Sequence, residues 1–323
     1  MGKRPASHRK LRRPRQAELY RAGWLLSAAT PPRRLAILAR NGLEMETVEK
    51  TNRFAWQPIT PKGVATFARA PLSHLLTVQM LCALVFVAAE LSFLDRAWFP
   101  VVTDAIRHLQ PEGRIQSGVL DWGGIAASTL AENRFLSLAV DLPHEGTVRS
   151  PAHFQVEFGR TGLKIFSVFG FVEAAYPARW TFAFNRPELE PAWGAWRPAF
   201  LAMAGLVTLA VLMAGWAIVA LIYLGPVWVI GFLADRDLDL SACRRLAGAA
   251  LMPGALLLSL GLVLYTLGIL DLLQLGVVWA LHLLTGWVYV CIAPFMVERP
   301  ASAGAKASNP FAPAPATRTD STA

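Results

Sequence analysis

The chain has 323 residues, of which 54% are hydrophobic and only 16% are charged. Soluble domains usually carry about 25% charged residues, and here the apolar residues come in long blocks, so the composition excludes an ordinary soluble protein. The net charge of +9 sits before the first apolar block, because residues 1–70 contain 15 Lys and Arg against 4 Asp and Glu. Such a flank is typical of the cytoplasmic side of a membrane protein, so nucleic-acid binding is not needed to explain it.

Residues 1–58 are predicted to form a basic cytoplasmic segment that is largely disordered. The run Thr-Pro-Pro-Arg-Arg at residues 30–34 would break a helix there. Met45 opens a stretch that resembles an ordinary N-terminus, so Met1 and Met45 both stay open as the native start.

Residues 59–94 are predicted to form an interfacial helix followed by transmembrane helix 1. Thr60 offers a capping hydroxyl, and Pro61 suits the first turn of a helix. Segment 62–70 then has three apolar residues on one side: Val64, Phe67 and Ala68. That pattern favours a helix lying along the inner membrane surface, with a plain linker as the alternative.

Four segments are long and apolar enough to cross a membrane, which takes about 20 residues. They are residues 71–94, 198–224, 247–270 and 272–297. The pair Gly225-Pro226 is predicted to end the second span and to leave an interfacial segment at 225–234. Asp271 alone separates the last two spans, which predicts a tight helical hairpin. Transmembrane helices 2–4 thus occupy residues 198–297.

The flanking charges predict that both termini lie in the cytoplasm. Residues 95–197 carry 10 basic and 11 acidic residues, a balance that is compatible with the outer side of the membrane. The tail, residues 298–323, is rich in Ala, Pro, Ser and Thr and is predicted to be disordered. Residues 87–89, Val-Ala-Ala, resemble a signal-peptidase site, but the segment before the apolar block is far too long for a signal peptide. The expected location is the bacterial cytoplasmic (inner) membrane, with several passes.

Residues 95–197 are predicted to form an extracytoplasmic α+β domain inserted between helices 1 and 2 of an all-α membrane bundle. One helix is expected at 104–110, ending before Pro111. Alternating apolar and polar residues predict a small antiparallel sheet with strands at 113–122, 135–141, 154–158, 163–169 and 180–184. Residues 159–162 are expected to form a hairpin turn.

The predicted insert carries five side chains that invite comparison with a metal site: Asp121, Glu132, Asp141, His144 and His153. Their spacing includes no HxH or HxxxH pattern, so neither a metal site nor a cofactor is predicted. The three cysteines, Cys82, Cys243 and Cys291, match no zinc pattern and lie in or beside apolar blocks, which also argues against a disulfide.

Three polar residues within the spans are candidates for function, because burying them in lipid is costly. Glu90 lies about one turn from the outer end of its span and could simply reach the interface. Folding the last two spans about Asp271 brings Ser259 and His282 to similar depth. A Ser–His pair suggests a nucleophile and its base, but no GxSxG motif or orienting carboxylate accompanies it. An interhelical hydrogen bond is the favoured reading of this pair.

Small residues in the spans predict close helix packing. They are Gly205, Gly215, Gly248, Ala249, Gly254 and Gly261. Pro253 is expected to set a kink in the third span.

The layout resembles a family of uncharacterised bacterial multi-pass membrane proteins, a domain-of-unknown-function family that is distantly Yip-like. Two stretches in the insert carry the resemblance, Pro-Glu-Gly-Arg-Ile-Gln-Ser-Gly-Val-Leu-Asp-Trp at 111–122 and Asn-Arg-Phe-Leu-Ser-Leu-Ala-Val-Asp at 133–141. A third, Leu-Ser-Ala-Cys-Arg-Arg-Leu-Ala-Gly-Ala-Ala-Leu-Met-Pro at 240–253, resembles the family's entry into a span. The resemblance implies a first span, an extracytoplasmic insert and a later cluster of spans, but no catalytic residues. Yip-type relatives would imply trafficking partners, and the insert departs from their pattern.

Three functions remain open. The first is a non-enzymatic membrane protein whose insert binds an envelope component or a partner protein, with the bilayer and a homo-oligomer as further partners. The second is a transporter or channel subunit, although polar lining is sparse. The third is a membrane-embedded hydrolase that uses Ser259 and His282.

Overall fold

The computed structural model describes residues 57–299. Four helical runs in this part of the chain are long and apolar enough to cross a membrane, as predicted: Leu72–Arg107, Arg186–Leu233, Leu240–Thr266 and Leu272–Met296. A β-sheet region lies between the first run and the second. The predictions for residues 1–56 and 300–323, including the start at Met45 and the disordered tail, fall outside the described residues.

The helices, numbered in chain order, have the following bounds: α1 Pro61–Thr66, α2 Leu72–Phe93, α3 Phe99–Arg107, α4 Arg186–Leu233, α5 Leu240–Ala250, α6 Met252–Thr266 and α7 Leu272–Ile292. A π-helical turn, Leu94–Trp98, joins α2 to α3, and a 3₁₀ turn, Ala293–Met296, follows α7. The third apolar run is 61% buried inside the protein, whereas the second and fourth are each 11% buried. The third run is therefore central, and α4 and α7 leave wide apolar faces uncovered.

Helix α2 ends at Phe93, close to the predicted end of the first span at residue 94, but the helical run continues through the π-helical turn and α3 to Arg107. The π-helical turn connects the two α-helices. Pro100 lies in the first turn of α3, where a backbone N–H would have no hydrogen-bond partner within that helix. The separate helix expected at 104–110 is the end of this same run. The insert therefore begins on a rigid extension of the membrane helix.

Helix α4 runs unbroken for 48 residues through the Gly225-Pro226 pair, so the predicted interruption is wrong. Proline is tolerated in membrane helices where neighbouring helices support the backbone. Tyr223 and Val227, one on each side of Pro226, are both buried in the main core of the bundle. This packing holds the helix together where the local sequence favours a break.

The last two spans form the predicted hairpin. Asp271 caps α7 by accepting a hydrogen bond from the Gln274 amide, and the Gln274 side chain in turn accepts from the Asp271 amide. Gly268, with φ +74°, reverses the chain after α6. The expected break at Pro253 is also present, because α5 ends at Ala250 and Pro253 lies in the first turn of α6.

The segment before α2 contains a short helix, α1, that packs against the bundle. Thr60 caps α1 as predicted, through its hydroxyl and the Gly63 amide. Val64 and Phe67 are completely buried in the core of the bundle, beside α5 and the end of α7. The apolar side predicted for this segment therefore faces the rest of the chain.

The insert contains eight strands: β1 Arg114–Gln116, β2 Val119–Asp121, β3 Ala127–Glu132, β4 Leu136–Asp141, β5 Phe154–Phe158, β6 Gly162–Ser167, β7 Gly170–Ala175 and β8 Thr181–Ala183. They form a three-stranded sheet, β2-β1-β8, and a five-stranded sheet, β3-β4-β5-β6-β7. Strands near all five predicted positions are present, as is the hairpin at 159–162. The wholly antiparallel arrangement is wrong, because β4 and β5 pair in parallel through the crossover segment 142–153. Strands β3 and β7 were not predicted.

Candidate functional site

The Ser259–His282 pair predicted from the hairpin does not form a hydrogen bond. Ser259 is buried and donates to the Ala255 carbonyl of its own helix at 2.8 Å. The His282 ring bonds to the Trp279 carbonyl, also on its own helix. Each polar group is satisfied locally, so neither a nucleophile–base pair nor the expected interhelical bond is present.

The backbones of these two helices nevertheless meet closely. A Cβ added at Gly254 would lie 2.5 Å from the His282 carbonyl oxygen, and one added at Gly261 would lie 2.5 Å from the Val278 side chain. Gly205 and Gly248 also face neighbouring side chains at 3.2 Å, whereas Gly215 faces open space. The packing prediction for the glycines therefore holds at four of the five positions.

Glu90 lies at the contact between α2 and α4. Thr208 on α4 donates to its Oε1 at 3.0 Å. Its Oε2 atom is buried and has no hydrogen-bond partner in residues 57–299. Glu90 thus stands alone in an apolar helix contact, and the hydroxyl of Thr208 gives it partial compensation.

The five acidic and histidine side chains of the insert do not converge on one point. No group of three or more His, Cys, Asp and Glu residues in the described part of the chain is placed to hold a metal ion. His144 instead pairs with Glu157, with 2.6 Å between Nδ1 and Oε1. Asp141 is fully buried and accepts from the Gly146 amide at 2.9 Å.

These buried polar groups hold the crossover segment against the five-stranded sheet. Gln155 accepts from the Ser150 amide and donates to the Val148 carbonyl, both at 3.0 Å. Gln155 and Glu157 alternate along β5 on one face of the sheet, and both are at least 97% buried. Most of these buried polar groups have partners, while the Ser137 hydroxyl and Asp141 Oδ1 have none among the described residues. The contacts that are made link this face to the parallel crossover.

The opposite face of the same sheet borders an apolar cavity of about 340 Å³. Its wall consists of side chains from α3, both sheets and the start of α4: Val102, Ala105, Ile106, Leu109, Ile115, Leu130, Leu138, Phe158, Leu163, Tyr176, Trp180, Phe182, Phe184 and Leu189. Trp180 and Phe182 are 57% and 45% exposed, so they form the open side of the cavity. The space is of the size that small-molecule sites have, about 300–1,000 Å³.

The side chains that line the cavity include no charged group and two polar groups, the hydroxyl of Tyr176 and the indole N–H of Trp180. That hydroxyl donates to the Gly159 carbonyl at 3.1 Å, and burial raises the pKa of the phenol, so Tyr176 is neutral at physiological pH. A ligand in this space would therefore meet mainly apolar surface. The site suits a hydrocarbon chain and disfavours a charged or strongly hydrated group.

The cavity is open to solvent on one side. Trp180 and Phe182 lie at this opening and expose much of their surface to water. An apolar ligand in the cavity would cover that surface, which favours its binding.

One sequence pattern points toward this cavity. Phe154, Val156 and Phe158 alternate with polar residues, which predicts an apolar face of β5 that other side chains must bury. Phe182, in the short edge strand β8, offers only part of the cover for this face, because its side chain is 45% exposed. Only the three-dimensional arrangement of α3 and the two sheets reveals that the cover is incomplete.

A cluster of aromatic and polar contacts fixes the insert on the helical bundle. His153 bonds to the hydroxyl of Tyr265 at the end of α6, with 2.7 Å between Nδ1 and the oxygen. Arg134 donates to the carbonyls of Gly268 and Leu270 at 2.6 and 3.0 Å. Burial and the nearby Arg134 lower the pKa of His153, and Asp271 opposes this weakly.

Comparison with known proteins adds no relative. No family model matches the chain, no curated protein matches it, and no solved structure resembles it.

Proposed function

We propose that the chain is a non-enzymatic multi-pass membrane protein whose insert binds the hydrocarbon part of an envelope component. The observation that carries this proposal is the apolar cavity of about 340 Å³ between α3 and the two sheets. Binding of an apolar chain would recover the dispersion and hydrophobic energy that the empty space forgoes. The proposed ligand is therefore an envelope molecule that carries an acyl or similar hydrocarbon chain.

The position of the cavity supports a source in the membrane. Val102, on its wall, lies nine residues beyond Phe93, the last residue of α2, which places it about 14 Å farther along the helix. Leu189 contributes from the first turn of α4, where the chain returns toward the bundle. A chain lifted from the adjacent leaflet has only a short path to the cavity.

The proposal includes the predicted topology, with both termini inside and the insert outside the bacterial inner membrane. The basic flank in residues 1–70 supports it. A test uses single cysteines in a background that lacks the native ones, at exposed Asp121 in the insert or exposed Asp237 between α4 and α5. A membrane-impermeant maleimide added to intact spheroplasts labels Asp121→Cys and spares Asp237→Cys; the reverse pattern contradicts the topology.

Neither alternative function has a comparable support. The hydrolase would need Ser259 and His282 to meet, and each bonds to its own helix. A transporter would need polar groups that share a pathway, but Glu90 bonds to Thr208 and Gln79 bonds to the Gly248 carbonyl at separate contacts.

The binding proposal is tested by photolabelling the full-length chain in nanodiscs with a diazirine-bearing fatty acid. We expect labelled peptides from α3 and from the strand that contains Leu130. Ala105→Phe fills the cavity and should reduce this labelling at least about five-fold, since it removes the space that the ligand occupies. The matched control is Ala126→Phe, at an exposed position outside the cavity wall.

Equal labelling of the wild type and Ala105→Phe would overturn the proposal, provided that both proteins elute as folded species. Labelling confined to the surfaces of α4 and α7 would overturn it too, since those faces contact lipid in any membrane protein.

A further inference from the structure

The hairpin of β6 and β7 carries apolar side chains to a level beside the membrane helices. All six residues of β7 are exposed, and Val168 and Phe169 at the tip are 56% and 82% exposed. The Phe169 ring nevertheless borders an apolar groove of about 370 Å³ with Leu275 and Trp279 of α7. Trp279 lies about 10 Å along the helix from its first residue, so the tip reaches below the start of α7.

The other walls of this groove are formed by apolar side chains of the helices. Phe86 of α2 and Leu258 and Leu262 of α6 complete it, and none of its lining residues is charged. These residues belong to runs that are apolar enough to span a membrane, which favours lipid chains as the surroundings of the groove. A lone exposed phenylalanine is ordinary, but one that extends the wall of such a groove has a natural occupant in a lipid chain.

A second, polar cleft of about 660 Å³ continues from the groove. Both spaces are lined by Leu272, and the tip of the same hairpin forms a wall of each, through Phe169 below and Val168 above. The upper cleft has polar residues from the crossover segment, from β5 and β6 and from the α6–α7 turn: Arg149, Ser150, His153, Gln155, Ser167 and Asp271. The two neighbouring spaces share Leu272 as a wall, and together they are named the amphipathic channel, with polar residues in the cleft and apolar residues in the groove.

Arg149 gives the polar end an uncompensated positive charge. Its guanidinium stacks on Phe166, with 3.9 Å from Cζ to the ring centroid. No carboxylate in residues 57–299 forms an ion pair with it. Asp271, the acidic residue of the cleft, is occupied in capping α7. An exposed arginine placed over an aromatic ring, with no carboxylate paired to it among the described residues, is suited to bind a phosphate group.

We propose that this amphipathic channel binds one phospholipid of the outer leaflet, with its phosphate on Arg149 and one chain in the groove beside Phe169. The polar cleft and the apolar groove meet at Leu272, which puts the change from polar to apolar lining where a phospholipid changes from headgroup to chain. The site is separate from the apolar cavity of the insert and goes beyond the function proposed for it. It holds a lipid at the rim of the bundle, while the cavity encloses a chain within the insert.

The test is native mass spectrometry of the full-length chain in an uncharged polyoxyethylene detergent, titrated with dioctanoyl phosphatidylglycerol. We expect one saturable phospholipid per chain. Arg149→Gln should weaken this binding by roughly ten-fold or more, as expected for the loss of a charge-assisted contact. The matched control is Arg179→Gln, which removes the same charge at an exposed position beyond the opposite end of β7.

A second pair of variants tests the apolar end. Phe169→Ser should also weaken the phospholipid, whereas Val172→Ser, at an exposed position on the same hairpin that borders neither space, should leave it unchanged. Titration with inorganic phosphate and with octyl glucoside separates the two halves of the ligand. We expect neither probe alone to match the affinity of the phospholipid.

Binding of inorganic phosphate as tight as that of the phospholipid would overturn the lipid assignment, and so would unchanged phospholipid binding in Arg149→Gln. An equal loss of phospholipid affinity in Arg179→Gln would show that the effect depends only on net charge, and this result would also overturn the proposal. Ala105→Phe, which fills the insert cavity, should leave this site intact, so failure of one proposal is distinguishable from failure of the other.

Discussion

The helical bundle and the insert differ in how they use polar groups and empty space. In the bundle, Ser259 and Thr285 bond back to their own helices, and glycines let the backbones approach closely. The space beside His282, between the helices, is about 110 Å³, against about 340 Å³ in the insert. In the insert, buried polar side chains fix one face of the five-stranded sheet, and the other face is left with an unfilled apolar cavity. The bundle is built for packing, and the insert is built around a space. The incomplete packing of the insert therefore indicates a binding site more strongly than the polar residues of the spans do.

The largest effect is expected from the buried pair on the polar face of the sheet. Glu157→Ala removes the partner of His144 and should lower the free energy of unfolding by about 3 kcal/mol, since it leaves a buried polar group unpaired. The control is Glu173→Ala, at an exposed site on β7 where the Lys164 contact is 3.9 Å, which should cost less than about 1 kcal/mol. Denaturant unfolding in detergent measures both, and equal values would show that the polar face does not fix the crossover.

A smaller but clear effect is expected at the helix hairpin. Gly254→Ala places a methyl group 2.5 Å from the His282 carbonyl oxygen and should cost about 1–3 kcal/mol through forced separation of the two helices. Gly215→Ala is the matched control, because its new methyl meets nothing within 4 Å and alanine is the better helix former. Thermal unfolding of both variants gives the comparison, and a stable Gly254→Ala would mean that the helices do not approach as closely as described.

The junction between the two regions should weaken in acid. The pKa of His153 is lowered in the folded protein, whereas in the unfolded chain it is about 6.5. Above about pH 6.5 both states hold the neutral ring and the contribution of His153 is fully present; as the pH falls below that value the unfolded chain takes up the proton first, so stability is lost. Arg134, Asp271 and Tyr265 are the charged or titratable groups that face the ring.

Thermal unfolding between pH 8 and pH 5 measures this loss. His153→Gln should unfold with a shallower dependence on pH, because the titrating ring is gone. An identical slope in the wild type and the variant would show that His153 is not the group responsible.

The smallest effect is expected at Ser259. Its hydroxyl bonds only to the carbonyl one turn before it, so Ser259→Ala should change the free energy of unfolding by less than about 1 kcal/mol. The variant should also leave any measured turnover of ester or peptide substrates unchanged. Loss of a hydrolytic activity in this variant would contradict the account of the bundle as structural.

The predictable part of the molecule is the part that local sequence dictates. Long apolar blocks predicted the four helical runs, and Asp271 between two of them predicted the hairpin. The cap that Asp271 forms with Gln274 is a local hydrogen-bond pattern. Pro226 and the parallel pairing of β4 and β5 could not be predicted this way. The first is overridden by tertiary packing around Val227, and the second depends on polar contacts between segments that are distant in sequence.

The site could be predicted even less well. Glu90, Ser259 and His282 stand out in sequence because ionisable and polar residues are rare in spans. Ser259 and His282 bond to their own helices, and Glu90 accepts one hydrogen bond from Thr208 while its other oxygen has no partner among the described residues. The cavity is lined by ordinary apolar residues such as Ala105 and Leu130, which differ in no way from core residues until their neighbours are known. A binding space made only of apolar side chains has no motif.

The central claim, that the insert holds an apolar chain, is tested most directly by a high-resolution cryo-electron microscopy map of the full-length chain in nanodiscs of a native lipid extract. The account predicts elongated density between Val102, Leu130 and Phe158 that continues toward Trp180, and its absence in Ala105→Phe. A wild-type cavity that is empty, or that has closed by movement of α3 onto the sheets, would contradict it.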